Sequence, residues 1–182
     1  MTFDELKAAM PSFAKDTKLN LGRVLAGGST TGLSDAQAFG TALASAYVTR
    51  NADVVSAVRD RAGDALTPDY VEAAKAAASV MGMNNVYYRF THLVNDPEYS
   101  KMPANLRMNI IGNPGIPKVD FELMSLAVSA INGCGMCMEA HVAEVTKGGV
   151  NRTGVQSAIR IGAVVNAAAQ SLDIAALDAA QP

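Results

Sequence analysis

Both cysteines of the 182-residue chain, and one of its two histidines, fall in one short stretch: Asn132-Gly133-Cys134-Gly135-Met136-Cys137-Met138-Glu139-Ala140-His141. Two thiols separated by two residues can close into a disulfide and reopen with little backbone movement. The stretch reads as a helix start. Asn132 is the expected N-cap, because its side-chain oxygen can accept from a backbone N–H that lacks a partner within the helix. Cys134 and Cys137 then lie in the first turn, where free N–H groups and the helix dipole favour negative charge. Such a setting brings a thiol pKa down from about 8.5 towards roughly 3.5–7.5. Cys134, Cys137 and His141 are spaced i, i+3 and i+7, so they share one helical face. His141 follows Cys137 by one turn, within reach for proton exchange directly or through a water. The residues point to redox-active thiol chemistry.

A cycling thiol needs a base nearby. Asp120, Glu122, Glu139, His141 and Glu144 are the candidates in this half of the chain. Asn132-Gly133 reads as a helix–helix turn. It folds the helix carrying Glu122 antiparallel to the cysteine helix, which puts Glu122 and His141 at similar heights. A relay follows, in which the Glu122 carboxylate orients the imidazole and the imidazole takes the Cys137 proton. Glu139 falls off the face of Cys137 and reads as solvated. The helix dipole favours Cys134 as the attacking sulfur and His141 favours Cys137, so spacing leaves the two open. Zinc is a rival use, held by Cys134, Cys137, His141 and either Glu122 or His92. Structural zinc sites usually pair a second Cys-x-x-Cys or a His pair further along, and the sequence has neither. His92 reads as a structural residue, Met136 and Met138 as packing, and Tyr87, Tyr88 and Phe90 as core or subunit contact.

The elements that must position these groups read as helices throughout. Hydrophobic residues make up 49% of the chain and aromatic residues 5%, with no Trp. Much of the apolar share is Ala, a strong helix former suited to closely packed helices. The chain is long enough to bury a core without disulfide braces. Net charge is −2 with no basic stripe, which argues against a nucleic-acid partner. The N-terminus lacks the basic and apolar regions of a signal peptide. No apolar run approaches the ~18 residues of a membrane span. A cytoplasmic, membrane-free protein is expected. There, a lone Cys-x-x-Cys is catalytic or metal-binding more often than a brace.

Thr2 and Glu5 form a capping box ahead of a first helix that Pro11 bends or ends. Helices are expected over 12–25, over 35–49 after a second capping box at Ser34 and Gln37, and over 52–62. Thr67 and Pro68 read as N-cap and first helical residue of a helix over 68–81, with 85–93 as a further segment. The 27–32 stretch is a turn-rich break that lacks the Lys-Ser/Thr of a phosphate loop. Four prolines mark 96–117 as a loop-rich connector with one short helix over 104–110. Helices over 120–131, from the cysteines to Lys147, and over 152–172 complete the chain, with a last turn at 174–180. Gly148-Gly149 closes the cysteine helix. No strand pattern is present. The fold class is all-α, one helical domain over 1–182. Stretches 34–46 and 119–131 resemble each other, as do 71–74 and 155–158, so two related halves, 34–93 and 119–172, are expected.

The stretch from Val119 through Cys137, holding Asp120-Phe121-Glu122 and Asn132-Gly133-Cys134-Gly135-Met136-Cys137 and followed by His141, resembles the alkyl hydroperoxidase D (AhpD) family of the carboxymuconolactone decarboxylase-like superfamily. Asn-Val-Tyr-Tyr-Arg-Phe at 85–90 and Gly-Ile-Pro-Lys at 115–118 extend the likeness over most of the chain. The resemblance implies an all-helical subunit assembled as a homotrimer. It implies a lipoyl-dependent peroxidase with no tightly bound cofactor and dihydrolipoamide as electron donor. Its partners would be a lipoyl-bearing dihydrolipoamide acyltransferase and a peroxiredoxin of the alkyl hydroperoxide reductase C type. Carried over, Cys137 is the peroxidatic thiol, Cys134 the resolving thiol and a proton donor, and Glu122 and His141 the proton relay. Met136 departs from the histidine that family members carry between the cysteines. Two rivals remain: a lactone decarboxylase on the same scaffold, using histidine and no thiol, and a non-enzymatic zinc or interaction module.

Overall fold

Side-chain caps fix several helix starts, as the sequence leads one to expect. A computed structural model of the chain describes residues 1–27 and 32–179. Thr2 accepts from the Glu5 N–H, and the Glu5 carboxylate answers the Thr2 N–H, opening α1 (Phe3–Ala9). The same reciprocal pair at Ser34 and Gln37 opens α3 (Asp35–Thr49). Asn51 caps α4 (Ala52–Ala62) through two backbone N–H groups. Between α1 and α3 lie a 3₁₀ turn, Ser12–Ala14, and α2 (Lys15–Val24). The expected break over 27–32 falls largely on residues 28–31, outside the described part.

Two boundaries differ from expectation because helices run on. α5 is a single helix, Pro68–Leu93, where the sequence reading stopped at 81 and began again at 85. Gly82 faces open space, and a helix-interior glycine costs only about 1 kcal/mol. The buried stripe Ala73, Ala77, Val80, Met81, Asn84 and Asn85 passes straight through it. Likewise α10 runs unbroken from Arg152 to Ala179. Thr67 takes the expected N-cap place before Pro68, but its side chain makes no cap hydrogen bond.

The connector is also corrected. Its short helices are α6 (Pro97–Lys101) and α7 (Asn109–Gly112), and 104–108 is not helical. Asp96 caps α6 by accepting from the Glu98 N–H, and Pro97 is pre-set for a first helical turn. Asn105 adopts a left-handed backbone (φ 53°), which a helix over 104–110 would exclude.

α8 (Lys118–Ile131), α9 (Gly135–Lys147) and α10 complete an all-α fold, with no strand among the described residues. α3 lies at the centre, in contact with α5, α8 and α10, and every residue from Ala38 to Ala46 is buried. Small side chains let its neighbours come close. A Cβ on Gly40 would meet the Met124 Cε at 2.5 Å. α8 is enclosed almost completely from Asp120 to Ser129 and packs on α3, α5, α9 and α10. Truncating an enclosed residue such as Leu43 or Leu126 would cost about 2–5 kcal/mol. The cysteine-bearing helix thus packs chiefly on α8, whose residues from Asp120 to Ser129 are all buried. No described helix is long and apolar enough to cross a membrane.

Candidate active site

The turn between α8 and α9 is built by backbone hydrogen bonds. Gly133, at φ 72°, donates to the Ala130 carbonyl, and the Cys134 N–H donates to the Ser129 carbonyl. These two bonds satisfy the last carbonyls of α8 in the Schellman manner, with glycine at the left-handed position. Asn132 therefore ends α8 and does not cap α9, which corrects the sequence reading. The cap of α9 is Cys134 itself, whose sulfur accepts the Cys137 N–H at 3.3 Å. The thiols still sit where expected, at the N-terminus of a helix, but one of them is the capping group. Their sulfurs are bonded at 2.12 Å, with Cα atoms 5.3 Å apart. Cys137 is 7% exposed and Cys134 is fully enclosed, so a molecule from solvent meets Cys137 first.

Below the sulfurs, His141 and Glu122 meet. His141 Nδ1 lies 2.6 Å from Glu122 Oε2, and both side chains are buried. The antiparallel α8–α9 hairpin brings them level, as the turn position indicated. His141 Nε2 hydrogen-bonds neither cysteine sulfur; it lies 3.3 Å from the Met81 Sδ on α5. The other acids are engaged elsewhere. Asp120 accepts from Tyr70 Oη (2.5 Å) and Gln37 Nε2 (2.8 Å). Burial, and then this hydrogen bond to Asp120, push the Tyr70 phenol up to about 12. Glu144 pairs with Lys118 at the exposed rim, and the hydrogen bond holds its carboxyl below the usual range and raises the Lys118 ammonium. Glu139 is exposed, as expected, and His92 is exposed in the last turn of α5, away from these contacts. The zinc alternative needs donors free to bind, and with the two sulfurs bonded to each other no group of three or more His, Cys, Asp or Glu side chains is placed to hold a metal ion among the described residues.

Three residues on α5 belong to this region and escaped the sequence reading. Met81, Asn85 and Arg89, at i, i+4 and i+8, present one face to the α8–α9 turn. Asn85 Nδ2 donates to Ser129 Oγ (2.9 Å), and its Oδ1 accepts from Asn132 Nδ2 (2.9 Å). Arg89 Nη1 donates to the Asn132 carbonyl at 2.6 Å. Asn85 also approaches the Met81 sulfur at 4.0 Å. The regular spacing is visible in the sequence once 68–93 is taken as one helix.

Over its whole length the chain is 54% identical to "Alkyl hydroperoxide reductase AhpD" of Hyphomonas neptunium, covering 100% of this chain and 99% of that relative. The chain belongs to the AhpD family. A protein of the same name from Rhodospirillum centenum is 52% identical over 173 residues, 95% of this chain and 91% of its own. One from Coxiella burnetii is 54% identical over 164 residues, 90% of this chain and 93% of its own. The model of the carboxymuconolactone decarboxylase family matches residues 97–182. That match takes in Glu122, Cys134, Cys137 and His141 and stops short of α5. The all-α fold and the AhpD assignment agree with the resemblance carried by the Cys-x-x-Cys stretch.

Proposed function

We propose that this AhpD family member is a thiol-dependent enzyme that reduces organic hydroperoxides through Cys134 and Cys137. The observation that carries the reading is the bonded sulfur pair at the start of α9 with the buried Glu122–His141 pair beneath it. The name shared by its relatives supports the substrate class. In the oxidative half, the Cys137 thiolate attacks the distal peroxide oxygen. The O–O bond breaks, an alcohol leaves and Cys137 becomes a sulfenic acid. The Cys134 thiol displaces water from it and closes the disulfide. In the reductive half, a dithiol of the dihydrolipoamide type reopens the disulfide by exchange and leaves oxidised. The greater exposure of Cys137 favours it as the attacking sulfur, with Cys134 resolving. Glu122 and His141 serve as the proton relay.

The partners follow from the same reading. A lipoyl-bearing acyltransferase supplies the dithiol, and a peroxiredoxin of the alkyl hydroperoxide reductase C type receives electrons through Cys137. A homotrimer is supported by an apolar stripe that the single chain leaves in solvent. Val86, Phe90 and Leu93 follow one another along α5, and the Tyr99 ring meets Phe90 edge-on at 5.2 Å. The expected compartment is the cytoplasm. Hydroperoxide consumption driven by dihydrolipoamide tests the proposal. It should be present in the wild type and absent in Cys137→Ser. Full activity in Cys137→Ser would overturn the assignment; a lactone-type, thiol-free chemistry would instead survive the loss of both cysteines.

A further inference from the structure

Both nitrogens of His141 are occupied. Nδ1 is on Glu122 and Nε2 is on Met81, and neither hydrogen-bonds a cysteine sulfur while the disulfide is closed. Met81 is enclosed in the core, so water does not compete for its sulfur. A thioether accepts a hydrogen bond and cannot donate one. An unprotonated Nε2 would set its lone pair against those of the sulfur. A hydrogen bond across the 3.3 Å contact needs the proton on Nε2, because the thioether can only accept. A hydrogen bond between Nδ1 and Oε2, 2.6 Å apart, needs a proton of its own, carried by either partner.

We infer that Met81 is a positioning residue that keeps the proton of His141 on Nε2 in the disulfide form, so that the Glu122–His141 pair waits as an acid. Its role in turnover rests on the proposed reductase chemistry. When a donor thiolate attacks the disulfide, a sulfur–sulfur bond to the donor forms and the Cys134–Cys137 bond breaks. The donor attacks the more exposed Cys137, and the electron pair stays on Cys134, which departs as a thiolate. The second donor thiol passes its proton to Cys134 and attacks the donor's other sulfur. The donor–Cys137 bond breaks and the donor leaves as its own disulfide. Cys137 departs as a thiolate and takes the Nε2 proton, and the proton that the first donor thiol released to solvent restores the pair. Once a thiolate is available it outcompetes the thioether as acceptor, because hydrogen bonds to charged groups are the stronger. His141 thus changes from acid to base as the cysteines part. Without Met81, a neutral imidazole does better with its proton on Nδ1, donated to Glu122. Nε2 is then bare and has nothing to give.

Among the described residues, the groups that hydrogen-bond the imidazole are Glu122 from α8 and Met81 from α5; Cys137 precedes it by four residues on α9, and α10 contributes no hydrogen bond to it. The test compares the full-length protein with Met81→Leu, which keeps bulk and removes the acceptor, and Met81→Gln, which restores an acceptor. Nitrogen-15 NMR of the disulfide form reads the tautomer directly, and the chain has only two histidines to assign. The wild type should show a protonated Nε2, Met81→Leu a shift towards Nδ1–H, and Met81→Gln a return. Reduction of the disulfide by a dithiol should slow about tenfold in Met81→Leu, a fraction of the 10²–10⁴ that general acid catalysis supplies. Its alkaline limb should move to lower pH, and both effects should reverse in Met81→Gln. A Met81→Leu protein with wild-type melting, a still-protonated Nε2 and an unmoved pH profile overturns the inference. So does slower reduction with an unchanged tautomer. A shifted tautomer in a protein that reduces no hydroperoxide in any form upholds the role of Met81 and rejects the reductase reading.

Discussion

Glu122 and His141, carried by adjacent antiparallel helices, meet at 2.6 Å inside the protein with both side chains shielded from solvent. Each satisfies the other. Removing one leaves a buried polar group without its partner, which costs far more than the pair itself contributes. The hairpin α8–α9 sets this distance, and the Schellman turn at Gly133 sets the hairpin.

Glu122→Gln keeps the shape and removes the charge that orients the imidazole. Peroxide turnover should fall by about 10²-fold, at the lower end of what general acid–base groups supply. Steady-state kinetics against an organic hydroperoxide check this. Turnover within twofold of the wild type would remove Glu122 from the relay.

Asn85 is the hub that ties α5 to the cysteine turn through Ser129 and Asn132. Asn85→Ala leaves both partners unanswered in or near the core. A loss of about 1–3 kcal/mol is expected from the desolvated groups. Denaturant titration of the disulfide form measures it, and a change below about 0.5 kcal/mol would mean that the hub is dispensable.

Tyr70 gives a pH signature. Its phenol titrates near 10 in an unfolded chain and is pushed up to about 12 in the folded one, by burial and by the hydrogen bond to Asp120. Between these values the unfolded state binds fewer protons, so stability falls as pH rises. The contribution is complete below pH 10 and lost through pH 12. Tyr70→Phe should be less stable at neutral pH and should lack this alkaline slope. Chemical denaturation at pH 7, 10 and 11.5 would read both; a Tyr70→Phe protein with the wild-type slope would assign it to another group.

Helix starts were legible because caps are local chemistry. Thr2 with Glu5 and Ser34 with Gln37 each announce their helix through a neighbour three residues away. The Glu122–His141 pairing was legible for a related reason, since a short turn between two helices fixes which residues stand level. What was not legible depended on distant packing. Gly82 reads locally as a break, yet the stripe from Ala73 to Asn85 buries against the rest of the fold and carries α5 across it. Splitting that helix hid the spacing of Met81, Asn85 and Arg89, and with it the third wall of the site. Asn132 was misplaced by one helix end because asparagine suits either terminus, and only the bonds from Gly133 and Cys134 decide which.

The sulfur pair carries the whole functional reading, and thiol counting addresses it most directly. The protein is reduced completely, freed of reductant, and titrated for thiols before and after one equivalent of an organic hydroperoxide. Two thiols per chain should be present at first and both should disappear, with Cys134 and Cys137 recovered in one disulfide-linked peptide. Two thiols still titratable beside unconsumed hydroperoxide would contradict the proposal.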